Sequence, residues 1–269
     1  RKHFEEPVVP GGLPFGRAVV VSEPAALRRV LLDNPRNYEK DWMQRRILSA
    51  GLADGLLSAE GHQWRVQRRA LAPLFSRRSV MSFTGAVTAS ADALIARLTR
   101  REGDVVDMGA EVTRLTLDVL ERTIFSDGIG ADREDVRLAM QRYFEVASRI
   151  DPFDILGLPA AIPRPRRLTV WSTLRFFEKT IDTLIATRRR RLAEEPERVP
   201  QDLLTLLLNA TDPQTGARLS EPEVRANVLT FIAAGHETTA NCLTWSLYLL
   251  SQSPEWRARL RTEAERELD

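Results

Sequence analysis

The feature that most constrains the fold of this 269-residue chain is a stretch with no proline between residue 223 and Pro254. It opens with segment 220–223, Ser-Glu-Pro-Glu, which has the form of a capping box with proline in the first turn of a helix. The stretch therefore predicts a helix of roughly 30 residues, about 45 Å long at 1.5 Å per residue. Because Gly235, His236 and Glu237 lie in its middle, we interpret it as a helix that crosses a protein domain rather than a membrane.

Composition indicates a folded protein without a strong charge bias. Hydrophobic residues make up 43% of the chain and charged residues 28%, which is enough apolar material for a sizeable core. The 39 basic and 37 acidic residues give a formal net charge of +2, so nucleic acid is not an implied partner. A single cysteine, Cys242, excludes an internal disulfide framework and suits a reducing compartment such as a bacterial cytoplasm.

The sequence gives no indication of export or of a membrane anchor. Residues 1–16 carry charges, proline and glycine where a signal peptide has an apolar core, and no run reaches the roughly 18 apolar residues of a membrane span. We therefore predict a cytoplasmic protein. Since the chain starts without methionine and stops within an amphipathic pattern, we also expect it to be a fragment at both ends.

The remaining pattern predicts a mainly α-helical fold with a small β-sheet near the N-terminus. Segment 17–22 is short, β-branched and bounded by turn formers, which is typical of a strand. Four prolines predict a loop over 151–167. We expect one domain over residues 1–269. Helical apolar spacing is found in segments 24–33, 61–71, 77–100, 109–125, 133–150, 169–193 and 201–209.

The middle of the long predicted helix holds the residues best suited to chemistry. Ala234 and Thr238 are four residues apart and share one helix face with Phe231. Gly235 beside them costs helix stability, about 1 kcal/mol relative to alanine, and Glu237 is an acid in an apolar stretch. A small residue, a helix weak point, a carboxylic acid and a hydroxyl suit a pocket in which a ligand lies against the helix and receives protons. The alternative is a buried helix with an isolated acid.

The sequence Ala-Gly-His-Glu-Thr-Thr at 234–239 resembles the distal-helix motif of the cytochrome P-450 family. The resemblance implies that dioxygen lies in a groove beside this helix, at a haem, and that Thr238 hydrogen-bonds the oxygen species. It also implies that Glu237 supplies protons for cleavage of the O–O bond. The expected lining of this oxygen and substrate pocket is Ala234, Gly235, Phe231 and Thr239.

A second motif lies on the predicted helix 61–71. Trp64 and Arg68 are four residues apart, so an indole N–H and a guanidinium point at the same anion. In the family that the chain resembles, this pair binds the haem propionates, and segment 71–76 is similar to the family's continuation. His62 is a further candidate propionate donor, although a lone histidine beside a loop is more often structural. Without the distal motif, an amphipathic surface helix would explain Trp64 and Arg68 better.

The only cysteine is excluded as the haem ligand. Cys242 lies one turn after Thr238 on nearly the same helix face, and a helix on one side of a flat macrocycle cannot also supply the ligand on the other side. A buried free thiol is the better interpretation. The resemblance implies an axial cysteine far C-terminal of this helix, so no metal ligand is expected within the chain. His236, in the variable position of the motif, is not expected to bind metal.

Two further features concern partners and substrate access. A basic cluster, where the resembled family docks an acidic electron donor, lies near helix 61–71, and a solvated face is its better explanation. The loop 153–158, with its flanking helices, resembles the lid over the family's substrate channel, and packing into the core is an equal alternative. The basic cluster consists of Arg65, Arg69, Arg77 and Arg78.

The resemblance covers essentially all 269 residues and maps them to the N-terminal part of the family fold, through the lid helices to the distal helix at about 221–252. It implies a soluble bacterial haem b monooxygenase that hydroxylates an apolar organic substrate, with electrons from a ferredoxin- or flavodoxin/reductase-type protein. Without the axial cysteine, the chain alone is expected to be inactive. The alternatives are a haem-free helical binding or scaffold protein and a haem-thiolate isomerase or dehydratase on the same fold.

Overall fold

The computed structural model describes residues 8–13, 16–41, 44–45, 54–126 and 165–268. Contacts divide the chain into two compact units, Arg1–Arg45 and Arg46–Asp269, which are described separately. The predicted helix 133–150, the predicted lid loop 153–158 and most of the predicted loop 151–167 lie outside the described residues. The described part confirms a mainly helical fold with a small sheet near the N-terminus.

The N-terminal unit contains a two-stranded antiparallel sheet. Strand β2 (Gly16–Val21) matches the predicted strand and pairs with β1 (Val8–Leu13), so that Val8 lies opposite Val21. The sequence does not predict β1, because Pro10 and the two glycines after it are unfavourable in strands. Both strands of a two-stranded sheet are edges, where proline is tolerated.

A short helical run follows the sheet. Helix α1 (Pro24–Arg28) continues into a π-helical turn (Arg29–Asp33), and a 3-10 turn follows at Pro35–Asn37. Asn34, at φ −141° and ψ 41°, ends the run where the Asn-Pro pair predicts its end.

The second unit is helical in its described part, apart from one bridge between Thr211 and Arg218. The observed α2, α5 and α8 agree with the predicted helices to within two residues. The helices are α2 (Gly61–Leu71), α3 (Arg77–Ser82), α4 (Thr84–Thr99), α5 (Met108–Ile124), α6 (Pro165–Glu194), α7 (Leu203–Asn209), α8 (Glu221–Gln252) and α9 (Pro254–Leu268), with 3-10 turns at Ala72–Phe75 and Pro196–Arg198.

Two predicted boundaries are wrong. The predicted helix 77–100 is two helices that meet at Phe83, where the Ser82 hydroxyl donates to the Ser79 carbonyl and the Thr84 hydroxyl donates to the Met81 carbonyl. Such side chains compete with the helical ladder for backbone acceptors. Helix α6 already includes Pro165, the first described residue of this part of the chain, so the predicted start at residue 169 is too late.

Helix α8 begins at the predicted capping box. The Ser220 hydroxyl accepts a hydrogen bond from the Glu223 backbone N–H at 3.4 Å, and the Glu223 carboxylate accepts from the Ser220 N–H at 2.9 Å. The helix extends over 32 residues, so the sequence predicts both its start and its length correctly.

Only the first half of helix α8 is buried in the core of the second unit. Val224, Val228 and Ile232 are fully buried and pack into the main apolar core with residues of α2, α6 and α7. The last buried residue of α8 is Ala240. Beyond it the helix exposes large apolar side chains, including Trp245, which is 64% exposed.

One helical stretch among the described residues, Arg77–Thr99, is long and apolar enough to cross a membrane by length and composition alone. Its most apolar window has a mean hydropathy of 1.3 and is 6% buried, and the break at Phe83 divides the stretch. Within α4, Leu94 and Leu98 are half-buried, whereas Ile95 is 60% exposed.

Candidate functional site

The face of α8 that carries Ala234 and Thr238 is open to solvent. Both residues are exposed, and the Thr238 hydroxyl donates to the Ala234 carbonyl oxygen at 2.5 Å. This hydrogen bond fixes the hydroxyl against the helix backbone. Thr239 and Cys242 are also exposed, so the cysteine is on the surface and not buried as predicted. Cys242 is four residues after Thr238, so the two residues lie on the same side of α8.

Gly235 points away from this open face and towards α5. A Cβ atom added at Gly235 would lie 3.0 Å from Cδ2 of Leu120, which is tighter than an ordinary van der Waals contact. The glycine therefore allows α8 to approach α5 closely. This packing role is independent of the groove role that the motif predicts for Gly235.

His236 and Glu237 lie in different environments although they are adjacent. His236 is buried, whereas Glu237 is exposed. Burial lowers the pKa of His236, and the negative charge of Glu237 opposes that shift without cancelling it. The imidazole is therefore neutral at pH 7, and in the described residues His236 belongs to no cluster of metal-ligating side chains.

Phe231 connects α8 to the segment that follows α2. Its ring meets the ring of Phe75 edge to face, with the ring centroids 5.3 Å apart, a geometry that aromatic pairs prefer. Phe231 is half-buried and Phe75 is exposed. Because Phe75 belongs to the 3-10 turn after α2, the two sequence motifs lie on elements that touch.

Trp64 and Arg68 lie one turn apart on α2, and both are exposed. Within the described part of the chain, no carboxylate or hydroxyl bonds to the Arg68 guanidinium. His62 is exposed in the first turn of the same helix. Helix α2 therefore presents an indole N–H and a cation to the solvent, as an anion site requires.

The prediction that Arg69 lies on a solvated basic face is wrong. Its guanidinium bonds to Asp212 through two parallel contacts of 2.7 and 2.6 Å. Asp212 also accepts from the Thr215 hydroxyl at 2.7 Å. The hydrogen bond from Arg69, with smaller contributions from Thr215 and the Gln214 N–H, holds the pKa of the Asp212 carboxyl far below its usual range. The other three arginines of the predicted cluster are exposed.

Comparison with known proteins identifies the family. The family model described as Cytochrome P-450 matches residues 6–268 of the chain. The chain belongs to the cytochrome P-450 family.

Curated P-450 relatives occur in bacteria and plants. Pentalenene oxygenase of Streptomyces avermitilis is 32% identical over 255 residues, which span 94% of this chain and 54% of the relative. Protein LUTEIN DEFICIENT 5 of Arabidopsis thaliana is 30% identical over 263 residues, 92% of this chain and 43% of the relative. The bifunctional cytochrome P-450/NADPH–P-450 reductase 2 of Bacillus subtilis is 29% identical over 222 residues, 80% of this chain and 20% of the relative.

Solved structures agree on the P-450 fold. The haem domain of cytochrome P-450DA has a TM-score of 0.80 and 25% identity, over 98% of this chain and 57% of that domain's chain. The chain spans about half the length of the Streptomyces and Arabidopsis relatives and a fifth of the length of the reductase-fused Bacillus relative.

Two polar residues of this P-450 chain belong to none of the sequence motifs. Gln67 and Asn227 are fully buried and hydrogen-bonded to each other. The position of Gln67 in the sequence could have identified it. Gln67 is three residues before Ala70 and four before Leu71, so it lies on the apolar face of α2, where a polar side chain needs a buried partner.

Proposed function

We propose that the chain is the part of a haem-dependent monooxygenase that holds the distal helix and the propionate-binding helix. The complete enzyme inserts one atom of dioxygen into an apolar organic substrate. It takes electrons from a ferredoxin- or flavodoxin/reductase-type partner in the cytoplasm. The observation that carries the proposal is the contact of Phe75 with Phe231, which brings the segment after α2 against α8 one turn before Ala234. The reductase-fused relative supports an electron-donor partner.

The exposed face of α2 fits the carboxylates of haem b. Trp64 and Arg68 supply donors that suit carboxylates, and neither side chain has a hydrogen-bond partner among the described residues. His62 is the third donor in this proposal. With a cysteine thiolate on its iron, haem supplies the activation of dioxygen when it is bound. We assign that thiolate to residues beyond this chain, because Cys242 lies on the Thr238 side of α8.

Proton handling is assigned to Thr238 and Glu237. The Thr238 hydroxyl uses its proton on the Ala234 carbonyl, so its lone pairs are left to accept from a ligand or water in the groove. Glu237 is exposed, and we assign it the relay of protons from the solvent to the groove. His236 is buried and neutral, and it takes no part. In this proposal the groove is bordered by Ala234, Phe231 and Thr239, and Gly235 contributes only its backbone, since its Cα faces Leu120.

Oxygen insertion is the better of the candidate chemistries for this site. Two relatives are named as an oxygenase and a monooxygenase. An acid beside a threonine also favours it, because isomerisation or dehydration of a peroxide-like substrate needs no delivery of protons to dioxygen.

The test is expression of the longest open reading frame that contains this chain. After reduction under carbon monoxide, the complete protein is expected to give the Soret band typical of thiolate-bound haem, and the 269-residue chain alone is not. Haem uptake without that band would overturn the thiolate assignment. A complete protein that takes up no haem would favour the haem-free binding or scaffold alternative.

A further inference from the structure

Gln67 of α2 makes three hydrogen bonds in the interior. Its side-chain N–H2 donates to the backbone carbonyl of Asp54 at 2.9 Å and to the Glu223 carboxylate at 3.3 Å. Its side-chain carbonyl accepts from the side-chain N–H2 of Asn227 at 3.0 Å. All of the bonding atoms of this buried amide are therefore engaged, as a buried polar group requires.

Asn227 of α8 completes the same network. Its N–H2 also donates to the backbone carbonyl of Glu223 at 2.8 Å, and its side-chain carbonyl accepts from the backbone N–H of Leu56 at 3.0 Å. The Gln67–Asn227 amide pair therefore connects α2, the loop before α2 and the first half of α8.

The Glu223 carboxylate remains charged in this network. Burial, the largest single influence, raises the pKa of Glu223, but hydrogen bonds from Ser220, Gln63 and Gln67 together lower it below its usual range. A charged acceptor makes the bond from Gln67 stronger than one between neutral groups.

The apolar contacts of α2 with the core do not fix its position in the same way, and the Arg69–Asp212 ion pair joins α2 to the segment before α8 rather than to α8 itself. Ala70 and Leu71 bury apolar surface, and apolar burial is non-directional. A helix held by such contacts alone can rotate or slide by one residue, about 1.5 Å, and still bury similar area. Hydrogen bonds require defined distances and angles, so the amide pair selects one register.

That register matters because both proposed halves of the cofactor site lie close to the pair. Gln67 is adjacent to Arg68 and three residues after Trp64, and Asn227 is one turn before Phe231. We propose that Gln67 and Asn227 are positioning residues, which set α2 on α8 and thereby set the propionate donors relative to the open face of α8. This inference rests on the proposed haem function.

The register itself is tested without haem. In the complete protein with Cys242→Ser and every cysteine beyond this chain replaced by serine, spin labels are attached at Arg65→Cys on α2 and Asn241→Cys on α8, both exposed positions. Double electron–electron resonance then measures the distribution of distances between the two spin labels, and therefore between α2 and α8. Gln67→Met and Asn227→Leu, which remove the amides and keep the side-chain size, are expected to broaden it.

The matched control is Gln63→Met. Gln63 lies one turn before Gln67 and donates to the same Glu223 carboxylate at 3.4 Å, but it is exposed and Asn227 bonds to Gln67 instead. The control is expected to leave the distance distribution unchanged. Distributions as narrow as that of the wild type in both amide variants would overturn the inference, whether or not the protein binds haem.

The consequence for the cofactor site is measured in the haem-loaded protein well below its Tm. Both amide variants are expected to shift the vibrational bands of the propionates and to raise the rate of haem loss by roughly three- to tenfold, with Gln63→Met unchanged. In an Arg68→Ala background the effect of Gln67→Met on haem loss is expected to shrink. A lower Tm with unaltered propionate bands and haem loss would mean that the pair is structural only. No haem uptake by the wild type would instead refute the proposed function.

Discussion

Thr238 carries the most specific expectation for a single residue. Its hydroxyl is fixed to the Ala234 carbonyl, and Thr238→Ala removes both the hydroxyl and its lone pairs. In the complete enzyme this change is expected to lower the fraction of electrons recovered in product by about 10²-fold, the lower end of the usual contribution of one proton-transfer group. Thr238→Ser, which keeps the hydroxyl, should retain most of the coupling. Equal coupling in both variants would remove Thr238 from the proton route.

Gly235 is expected to be coupled to Leu120 in stability. Gly235→Ala gains about 1 kcal/mol of helix propensity, but its Cβ meets Leu120 at 3.0 Å, and overpacking opposes the gain. In a Leu120→Ala background the same change should be more favourable by about 1 kcal/mol. Urea unfolding of the four proteins measures this difference. If the effects of the two substitutions on the free energy of unfolding are additive, the Leu120 side chain accommodates the added Cβ without strain.

Asp212 is expected to make stability depend on pH. Because its pKa is lower in the folded chain than the ordinary value of about 3.9, its stabilising effect is present above that value and is lost as pH falls through the folded pKa. The loss of unfolding free energy in Asp212→Asn should therefore be larger at pH 7 than at pH 3. Asp104→Asn, at an exposed ion pair with Arg101, is the control and should show little change at either pH.

At the level of elements, the cap of α8 is expected to contribute measurably. Ser220→Ala removes the acceptor for the Glu223 N–H and should lower the free energy of unfolding by about 1 kcal/mol. Ser246→Ala is the matched control, because the exposed Ser246 hydroxyl donates only to the Cys242 carbonyl within the same helix. Thermal unfolding distinguishes the two, and equal effects would contradict the capping role.

The elements that the sequence predicts well are those specified locally. The capping box and the absence of later proline are sufficient to define α8, and Pro73 is sufficient to end α2 near Leu71. Strand β1 is not predictable in this way, since Pro10 and its neighbouring glycines form a strand only because β2 is available to pair with them. The break at Phe83 depends on hydroxyl contacts with the backbone, which apolar periodicity does not register.

In the candidate site, too, the features set by local spacing are predictable from the sequence, and those set by tertiary packing are not. Spacing alone puts Trp64 with Arg68, and Ala234 with Thr238, on common helix faces. It does not indicate that Arg69 turns inward, because its partner Asp212 is 143 residues away. The exposure of Glu237 beside a buried His236 is likewise decided by how α8 packs on its neighbours.

At the level of the molecule, the second half of α8 together with α9 forms an exposed apolar surface. The rings of Trp245 and Tyr248 meet edge to face, with their centroids 5.8 Å apart. Leu249 and Trp256 are each more than half exposed. Apolar surfaces of this kind promote association, so the 269-residue chain alone is expected to self-associate. Sedimentation of Trp245→Gln/Leu249→Gln should show less association, with an unchanged circular dichroism spectrum. Ile95→Gln on α4 is the comparison, and an equal reduction there would argue against a specific surface.

The described part of the loop before α2, residues 54–60, contains a position that cannot vary. A Cβ atom at Gly55 would lie 2.6 Å from the backbone carbonyl oxygen of Ala226 on α8. No change of rotamer relieves an overlap with backbone. Laboratory evolution that diversifies this loop to alter specificity should therefore recover glycine at position 55, while neighbouring exposed positions accept substitution.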